Sequence, residues 1–306
     1  MAFVDEPMLI LDGACGTTLQ GMDIPMSLWG DKEGCNEYLN LTSPETIVRL
    51  HGRFLQAGSM VLETNTFGAS SLVLAEYGLE NQVEEINAAA VTHARTALQG
   101  RDNCYVAGSV GPTTKLPSLG HVSVEDLSAS LREQMSVLLS AGVDALIIET
   151  CQDLLQVKTA LVACFDLMDE MRCEVPVMVS VTIEQQGTML VGTDIAAVVA
   201  TLEPFPIFSL GLNCATGPTD MESHIRYLSR NWSARISCVP NQGLPEIVDG
   251  QTWYPLQPQE FAGLMKRFVE EQGVSVVGGC CGSSPAHIRE LVTVLKGAKP
   301  LRREVK

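Results

Sequence analysis

Short apolar runs alternate with longer amphipathic stretches from one end of the chain to the other. Each run is rich in β-branched residues and ends in glycine, proline or polar residues, which is typical of strands buried on both faces of a parallel sheet. The pattern therefore predicts eight strands. They lie within MLILDGA (8–14), SMVLETNTF (59–67), CYVAGSVGP (104–112), ALIIET (145–150), PVMVSVTI (176–183), PIFSLGLNC (206–214), RISCVPNQG (235–243) and VSVVGGCC (274–281).

The stretches between the runs carry helix start and stop signals. Ser43 is placed to cap one helix, which Gly58 closes. Ser123 begins a second helix that runs to Gly142, and Ser284 begins the last one. One phrase occurs twice, as AGSMVLET and AGVDALIIET, which indicates a helix, a glycine stop, a strand and then Glu-Thr.

Strands that alternate with helices require right-handed crossovers, and eight of them most simply form a (β/α)8 TIM barrel. A doubly wound open sheet is the alternative topology. No proline-rich or low-complexity stretch divides the chain. We therefore expect one domain over residues 1–306, with the tail from about residue 297 as a solvated exit or linker.

Composition and charge narrow the class of function. Hydrophobic residues make up 46% of the chain, enough for a large core, and the net charge of −16 disfavours a nucleic-acid or anionic-membrane partner, because both need a basic face. The N-terminus does not resemble a secretory signal, and no apolar stretch reaches the length of a membrane span. Ten cysteines without such a signal indicate reduced thiols and a cytoplasmic location.

Polar residues and glycines gather where the predicted strands end. In a TIM barrel the active site is built from these carboxyl ends, so side chains distant in sequence meet on one rim. One polar strand end would mean little, but eight around one rim predict a site. The residues concerned are Asp12, Gly13, Glu63, Thr64, Asn65, Ser109, Gly111, Glu149, Thr150, Thr182, Glu184, Asn213, Cys214, Asn241 and Gly278 to Cys281.

Three cysteines fall on this rim. Cys214 ends the sixth predicted strand, and the adjacent Cys280 and Cys281 end the eighth. Three thiolates and an open fourth position are the arrangement of a catalytic rather than a structural zinc site. Gly278 and Gly279 would let the backbone turn so that both neighbouring sulfurs face one point. We therefore expect Cys214, Cys280 and Cys281 to bind Zn²⁺.

The remaining cysteines and the histidines are expected to be structural. Cys15 and Cys151 lie near strand ends but fit core or helix positions, and Cys35 fits a loop. The five histidines fall mostly in helical stretches, none at a predicted strand end, which disfavours a metallohydrolase. The other cysteines assigned to the core or to helices are Cys104, Cys164, Cys173 and Cys238.

Six motifs, taken in order, resemble the homocysteine S-methyltransferase family, and their wording is closest to the N-terminal homocysteine-binding domain of cobalamin-dependent methionine synthase. The resemblance extends from about Met8 to Lys296, and GGCCG with the upstream Asn-Cys is its most specific part. The motifs are LDGACGTTLQ, ETNTFGAS, GSVGPT, LNC, PNQGLP and VGGCCGSSPAHIREL.

The resemblance implies roles for particular residues. Family members are (β/α)8 barrels that hold zinc through three cysteines, which by motif match are those named above. Asp12 and Glu149 are implied to receive the substrate ammonium, and backbone amides around Gly13 its carboxylate. Thr64, Asn65 and Asn213 are expected to shape the pocket. Asn241 is a weaker candidate, and its alternative role is to fix the turn after the seventh strand.

The implied chemistry is methyl transfer to the sulfur of L-homocysteine. Zinc deprotonates a bound thiol outright, and three thiolate ligands keep the fourth sulfur nucleophilic. The chain shows no DxHxxG motif for a corrinoid and no second barrel for a folate. We therefore expect methylcobalamin, or another methyl-corrinoid, to be supplied by a separate domain or protein, with a folate-binding methyltransferase behind it.

Three alternatives stay open. The methyl donor could be betaine, S-methylmethionine or another onium compound. The chain could be a non-catalytic zinc- or thiol-binding module. A redox enzyme with a Cys280–Cys281 disulfide is the third, although adjacent cysteines close poorly.

Overall fold

The computed structural model describes residues 2–244, 246–248 and 251–305. Eight of its strands are parallel neighbours in one sheet, and two form a separate antiparallel hairpin. The barrel strands are β1 (Leu9–Ile10), β2 (Val61–Glu63), β3 (Tyr105–Val110), β4 (Ala145–Cys151), β5 (Val177–Val181), β6 (Ser209–Asn213), β7 (Arg235–Val239) and β10 (Val276–Val277), and the hairpin strands are β8 (Glu246–Val248) and β9 (Gln251–Trp253).

Helices follow the barrel strands and pack around them. The longest ones are consecutive neighbours around the outside, as the contacts of α4 with α6, α6 with α7, and α7 with α8 show. The helices are α1 (Cys15–Gln20), α2 (Met26–Trp29), α3 (Leu39–Thr42), α4 (Pro44–Ala57), α5 (Ser71–Leu74), α6 (Val83–Leu98), α7 (Val124–Ser140), α8 (Leu154–Met171), α9 (Ile195–Leu202), α10 (Pro218–Asn231), α11 (Pro258–Gln272) and α12 (Pro285–Leu295).

The sheet closes on itself. The strand order is β1-β10-β7-β6-β5-β4-β3-β2, and a parallel bridge between Leu11 and Val61 joins the first strand to the last. Each of the eight apolar runs contains one barrel strand. The predicted (β/α)8 TIM barrel in a single domain is therefore confirmed, and the open doubly wound sheet is excluded because its two edges meet here.

Alternate residues of the strands face two different cores, because successive side chains of a strand point to opposite sides. Leu9 and Leu11 belong to an inner cluster with Ala107 and Ile147. Ile10, between them, joins the outer cluster that the helices cover. Both faces are apolar, which explains why the strands appear in the sequence as continuous hydrophobic runs.

Most of the expected helix boundaries are confirmed. The hydroxyl of Ser123 accepts the N–H of Asp126 at 3.0 Å, and Gly58 ends α4 in the left-handed region at φ 105°. Ser284 forms a capping box with His287. Ser43 is at the N-cap position of α4, but its hydroxyl donates to a side chain of the first turn instead of capping the helix backbone.

The tail after α12 makes hydrogen bonds with the barrel, while most of its residues remain exposed. The guanidinium of Arg303 donates to the backbone carbonyls of Trp232 and Ala234, and Leu301 N–H donates to the carbonyl of Val269. As far as Arg303, the tail is thus bound to the barrel by hydrogen bonds to backbone carbonyls. Among the described residues, no helix is long and apolar enough to cross a membrane.

Candidate active site

A cavity of about 310 Å³ opens at the carboxyl ends of the barrel strands. The end of β1 contributes Asp12 and Gly13, β2 is followed by Thr64 and Asn65, and Glu149 belongs to β4. The segments after β6 and β10 contribute the cysteines. Asn213 and Asn241 are not among its lining residues. Of the residues predicted for the rim, those that line this cavity are Asp12, Gly13, Glu63, Thr64, Asn65, Ser109, Glu149, Thr150, Cys214, Gly279, Cys280 and Cys281.

The three predicted metal ligands converge at one side of the cavity. The sulfurs of Cys214, Cys280 and Cys281 all lie within 4.8 Å of one another, and those of Cys214 and Cys281 are 3.9 Å apart. Cys214 and Ala215 both have left-handed backbone, at φ 62° and φ 54°. Non-glycine residues rarely adopt this region, and strain of this kind is concentrated at functional sites.

The two glycines before the cysteine pair are required by space rather than by backbone freedom. A Cβ at Gly278 would lie 2.8 Å from the Cβ of Leu11, and one at Gly279 would lie 2.4 Å from the Oγ of Ser283. Neither glycine is among those with positive φ. We expected these glycines to allow an unusual backbone turn, and this reason was wrong. They let β10 approach the end of β1, where the N–H of Gly279 donates to the backbone carbonyl of Asp12 at 3.2 Å.

The cysteines share hydrogen bonds, and these shift their pKa values in opposite directions. Hydrogen bonds from Cys214 and Cys280 lower the pKa of Cys281 to about 3. Hydrogen bonds to Cys214 and Cys281, with burial, raise the pKa of Cys280. The hydroxyl of Tyr254 also hydrogen-bonds Cys281, and its ring lies against Gly282. The cluster thus already favours one thiolate. Three converging sulfurs fit a soft or borderline cation such as Zn²⁺.

Asp12 and Glu149 line another part of the cavity wall, each in contact with a neighbouring strand. Asp12 accepts the backbone N–H of Glu63 at 3.2 Å. Glu149 accepts the Ser109 hydroxyl at 2.5 Å and the side-chain amide of Asn213 at 3.4 Å. Burial is the main cause that raises the pKa of both carboxyl groups, that of Glu149 to about 7. Both side chains are under 10% exposed and both belong to the cavity wall.

Glu63 is a third carboxylate in the same place, and it was not among the predicted ligands. Burial raises its pKa, and so does repulsion from Glu149 and Asp12. The signal was present in the sequence, since Glu63 and Glu149 occupy the same position of the repeated phrase that ends in Glu-Thr. Glu63 is also a carboxylate at a strand end, so the sequence pattern supports the same role for it, contact with the substrate ammonium, as for Glu149.

Asn213 joins the two sides of the cavity. Its side-chain amide donates to Thr150 Oγ1 at 2.6 Å and approaches Cys280 Sγ at 4.0 Å, and its Oδ1 accepts the N–H of Thr150 at 2.9 Å. Thr150 is a β-branched residue at φ 56°, beside a register shift in the pairing of β4 with β5. Asn213 thus stabilises a strained strand end that orients Glu149.

Thr64 and Asn65 are held by hydrogen bonds within the protein. Thr64 Oγ1 accepts the N–H of Ser109 at 3.0 Å, and the amide of Asn65 donates to the carbonyl of Asn36 at 2.8 Å. The thiol of Cys15 donates to Asn65 Oδ1 at 3.4 Å, so Cys15, expected in a core or helix position, begins α1 and lines the cavity. Asn241 is buried, and its Oδ1 has no partner in the described part of the chain.

The described residues that line the cavity include neither lysine nor arginine. They do include His51, a helix residue that sequence reasoning had set aside. Its ring is 1% exposed, both of its nitrogens lack a partner among the described residues, and burial lowers its pKa to about 4. The cavity is therefore lined by acidic groups and thiols with no fixed cation, so it suits a positively charged ligand.

Comparison with known proteins agrees with this geometry. A family model described as homocysteine S-methyltransferase matches residues 9–295. Methionine synthase of Mycobacterium tuberculosis is 39% identical over 306 residues, which cover 99% of this chain and 26% of that protein. Methionine synthase of Mycobacterium leprae is 40% identical over 294 residues, covering 95% and 24%. The chain thus spans about a quarter of the length of these relatives.

A solved structure agrees as well. The homocysteine methyltransferase MmuM from Escherichia coli, in its metallated form, superposes with a TM-score of 0.77 at 25% sequence identity. The superposition covers 95% of this chain and 97% of that one.

Proposed function

Because the chain belongs to the homocysteine S-methyltransferase family, we propose that it methylates the sulfur of L-homocysteine to form methionine in a zinc-dependent reaction. Residues 1–306 act in this proposal as one homocysteine-binding barrel domain. The observation that carries it is the cavity itself, which has three converging thiols at one side and acidic groups at the other. An amino acid thiol carries a sulfur, which suits the cysteines with their metal, and an ammonium, which suits the acidic groups.

Cys214, Cys280 and Cys281 would hold the metal. Their sulfurs already lie close enough together to share one ion, and each comes from the rim of the barrel rather than from its core. A Zn²⁺ ion bound there would keep the homocysteine sulfur as a thiolate at neutral pH, where a free thiol of pKa about 8.5 is mostly protonated.

Asp12 and Glu149 would receive the substrate ammonium, which leaves the substrate carboxylate to backbone amides around Gly13. The backbone at Gly13 lies so close to the ring of Phe54 that a side chain does not fit there. A Cβ at this position would lie 2.7 Å from Phe54 Cε1. Thr64, Asn65 and Asn213 keep the strand ends in place. Held at both of its charged groups, homocysteine would extend its sulfur towards the cysteines.

The methyl donor would be a methyl-corrinoid, such as methylcobalamin, carried by a separate domain or protein. Two facts support an external donor. The cavity is near the small end of the roughly 300–1,000 Å³ typical of ligand pockets, which suits an amino acid better than a macrocycle. The relatives named methionine synthase are about four times as long as this chain. A corrinoid-binding partner, and a folate-binding methyltransferase that reloads it, belong to the same proposal.

The test is methionine formation from homocysteine with each candidate donor in turn. Zinc-loaded protein is mixed with homocysteine and with methylcobalamin, betaine or S-methylmethionine. We expect methionine from methylcobalamin and little from the two onium donors. If methionine forms from an onium donor alone, the proposed methylation of homocysteine stands, but the proposed methyl-corrinoid donor is overturned. Failure to bind homocysteine at all, measured by calorimetry, would overturn the proposed function.

A further inference from the structure

Glu63 has no hydrogen-bond partner for its carboxylate among the described residues, although it lines the cavity between two other acidic groups. Asp12 and Glu149 are different in this respect. Asp12 accepts a backbone N–H, and both oxygens of Glu149 accept hydrogen bonds from side chains. An ionised carboxylate can accept about four hydrogen bonds, so Glu63 keeps the largest unused capacity of the three.

Asp12 is affected electrostatically by Glu149, and Glu63 by both of them. They come from the ends of β1, β2 and β4, and the described cavity wall supplies no lysine or arginine to neutralise them. Like charges brought together in this way are costly unless a cation or a proton is present. A ligand that delivers positive charge here gains what the protein itself does not supply.

A primary ammonium offers three N–H donors in three directions. Two carboxylates leave one of these donors without a charged acceptor, whereas three carboxylates match them one to one. We infer that Glu63 is a third ligand of the substrate ammonium and sets the preference of the site for a thiol with an unsubstituted α-amino group. This inference rests on the proposed function and deepens it, since it names the substrate class that the same cavity selects.

The experiment compares Glu63→Gln with wild-type protein against three ligands by calorimetry. The ligands are L-homocysteine, 4-mercaptobutanoate, which lacks the amino group, and N,N-dimethylhomocysteine, which retains a single N–H. We expect the variant to bind homocysteine about ten-fold more weakly, the size of one lost charge-assisted hydrogen bond. Its affinity for 4-mercaptobutanoate should be unchanged or higher. Wild-type protein should bind the dimethyl compound more weakly than homocysteine, and the variant should narrow that difference.

Glu37→Gln is the matched control. Glu37 lines the same cavity and is also buried, but its carboxylate already accepts the N–H of Gly68 at 2.6 Å and the thiol of Cys35. It should leave the ratio of homocysteine to 4-mercaptobutanoate affinity as in wild type. An equal loss of that ratio in both variants would overturn the inference, because it would show a general effect of charge.

The outcomes separate this inference from the proposed function. If wild-type protein prefers homocysteine to its amine-free analogue and Glu63→Gln keeps the full preference, only the role of Glu63 is overturned. If wild-type protein binds no homocysteine, the proposed function fails first. Should Glu63→Gln not fold, Glu63→Asp replaces it, because it keeps the charge but withdraws it by one methylene. The same selective loss of homocysteine affinity is then expected, and its absence counts against the inference.

Discussion

The two sides of the cavity solve the same electrostatic problem differently. The sulfur side (Cys214, Cys280 and Cys281) is built on backbone beyond the strand ends, with strained left-handed residues and close-packed glycines. The carboxylate side (Asp12, Glu63 and Glu149) is built at the strand ends themselves, where Asp12 and Glu149 accept hydrogen bonds from neighbouring strands. Both sides gather groups that become negative.

The two sides differ in what limits their negative charge when no ligand is bound. The thiols lie close enough to donate hydrogen bonds to one another, so one of them can ionise at the expense of its neighbours. The carboxyl groups do not bond to one another, and burial with mutual repulsion raises their pKa values instead. A metal should therefore meet a partly ionised sulfur side, whereas an ammonium should displace protons from the carboxylate side.

The largest effect is expected from single substitutions on the sulfur side. Cys214→Ala, Cys280→Ala and Cys281→Ala should each lose stoichiometric zinc and methyl transfer, since a site of three ligands cannot spare one. The barrel should still fold, because its two cores do not include the rim. Metal analysis and circular dichroism of the purified variants measure both. Cys104→Ala, which removes a half-buried thiol outside the cavity, is the control. Full zinc occupancy in any rim variant would contradict the assignment.

On the carboxylate side, Asp12→Asn and Glu149→Gln should weaken homocysteine binding while leaving zinc content unchanged. Loss of one charge-assisted contact costs roughly 1.5–3 kcal/mol, equivalent to about ten-fold or more in affinity. Titration calorimetry on zinc-loaded protein gives the affinity. If the two variants lose zinc as well as affinity for homocysteine, the carboxylate side and the sulfur side are not independent, and their separate roles are contradicted.

Stability against pH should distinguish the carboxylate side in metal-free protein. Burial raises the pKa of Glu149 from 4.5 to about 7, so between these values the folded protein keeps a proton that the unfolded chain has lost. The free energy of unfolding should therefore fall as pH rises through this window. Glu149→Gln removes the contribution of this group to that dependence, and at pH 8 it should be more stable than wild type by on the order of 1–3 kcal/mol.

Urea unfolding at a series of pH values checks this expectation. The advantage of Glu149→Gln should vanish near pH 4, where the carboxyl group is protonated in both states. An advantage that does not change with pH would show that packing, and not the charge of Glu149, is responsible.

The smallest effect concerns the strained backbone of the sulfur side. Ala215 has φ 54°, a conformation that costs a non-glycine residue about 1–2 kcal/mol. Ala215→Gly should remove that cost but increases the entropy of the unfolded chain, so we expect a net gain of at most about 1 kcal/mol. Urea unfolding measures it, with Ala286→Gly in the first turn of α12 as the control that should lose stability. A loss at position 215 as well would show that the conformation is not strained.

The sequence predicted the barrel and the sulfur side well, for a physical reason. Strands buried on both faces must be apolar throughout, so they stand out as runs, and Cys280 next to Cys281 cannot both follow the alternation of a strand. Asp12 and Glu149 were placed on the rim because they are carboxylates at strand ends, and the family resemblance alone singled them out for the ammonium.

The remainder depended on distances that sequence does not contain. Glu63 follows the same pattern as Glu149, yet its lack of a hydrogen-bond partner is visible only once the neighbouring strands are in place. His51 shows the same limit, since it lies on a helix and reaches the cavity only through packing. The role of Asn213 required the left-handed conformation of Thr150, which a β-branched residue gives no reason to expect.

The seam of the barrel has a consequence for the order of folding. β1 and β10 are two residues each, they pair Leu9 with Val276 and Ile10 with Val277, and the junction with β2 is a single bridge at Leu11. The pairing of β1 with β10 joins opposite ends of the chain, so it carries the largest loop-closure entropy of any pairing in the sheet and should form late. Asp12 and Cys280 flank this seam. The ligand-binding groups would then come together only in the last step of assembly, after the central strands have been paired. During synthesis, nascent chains that have not yet reached β10 would present the carboxylates and Cys214 without Cys280 and Cys281.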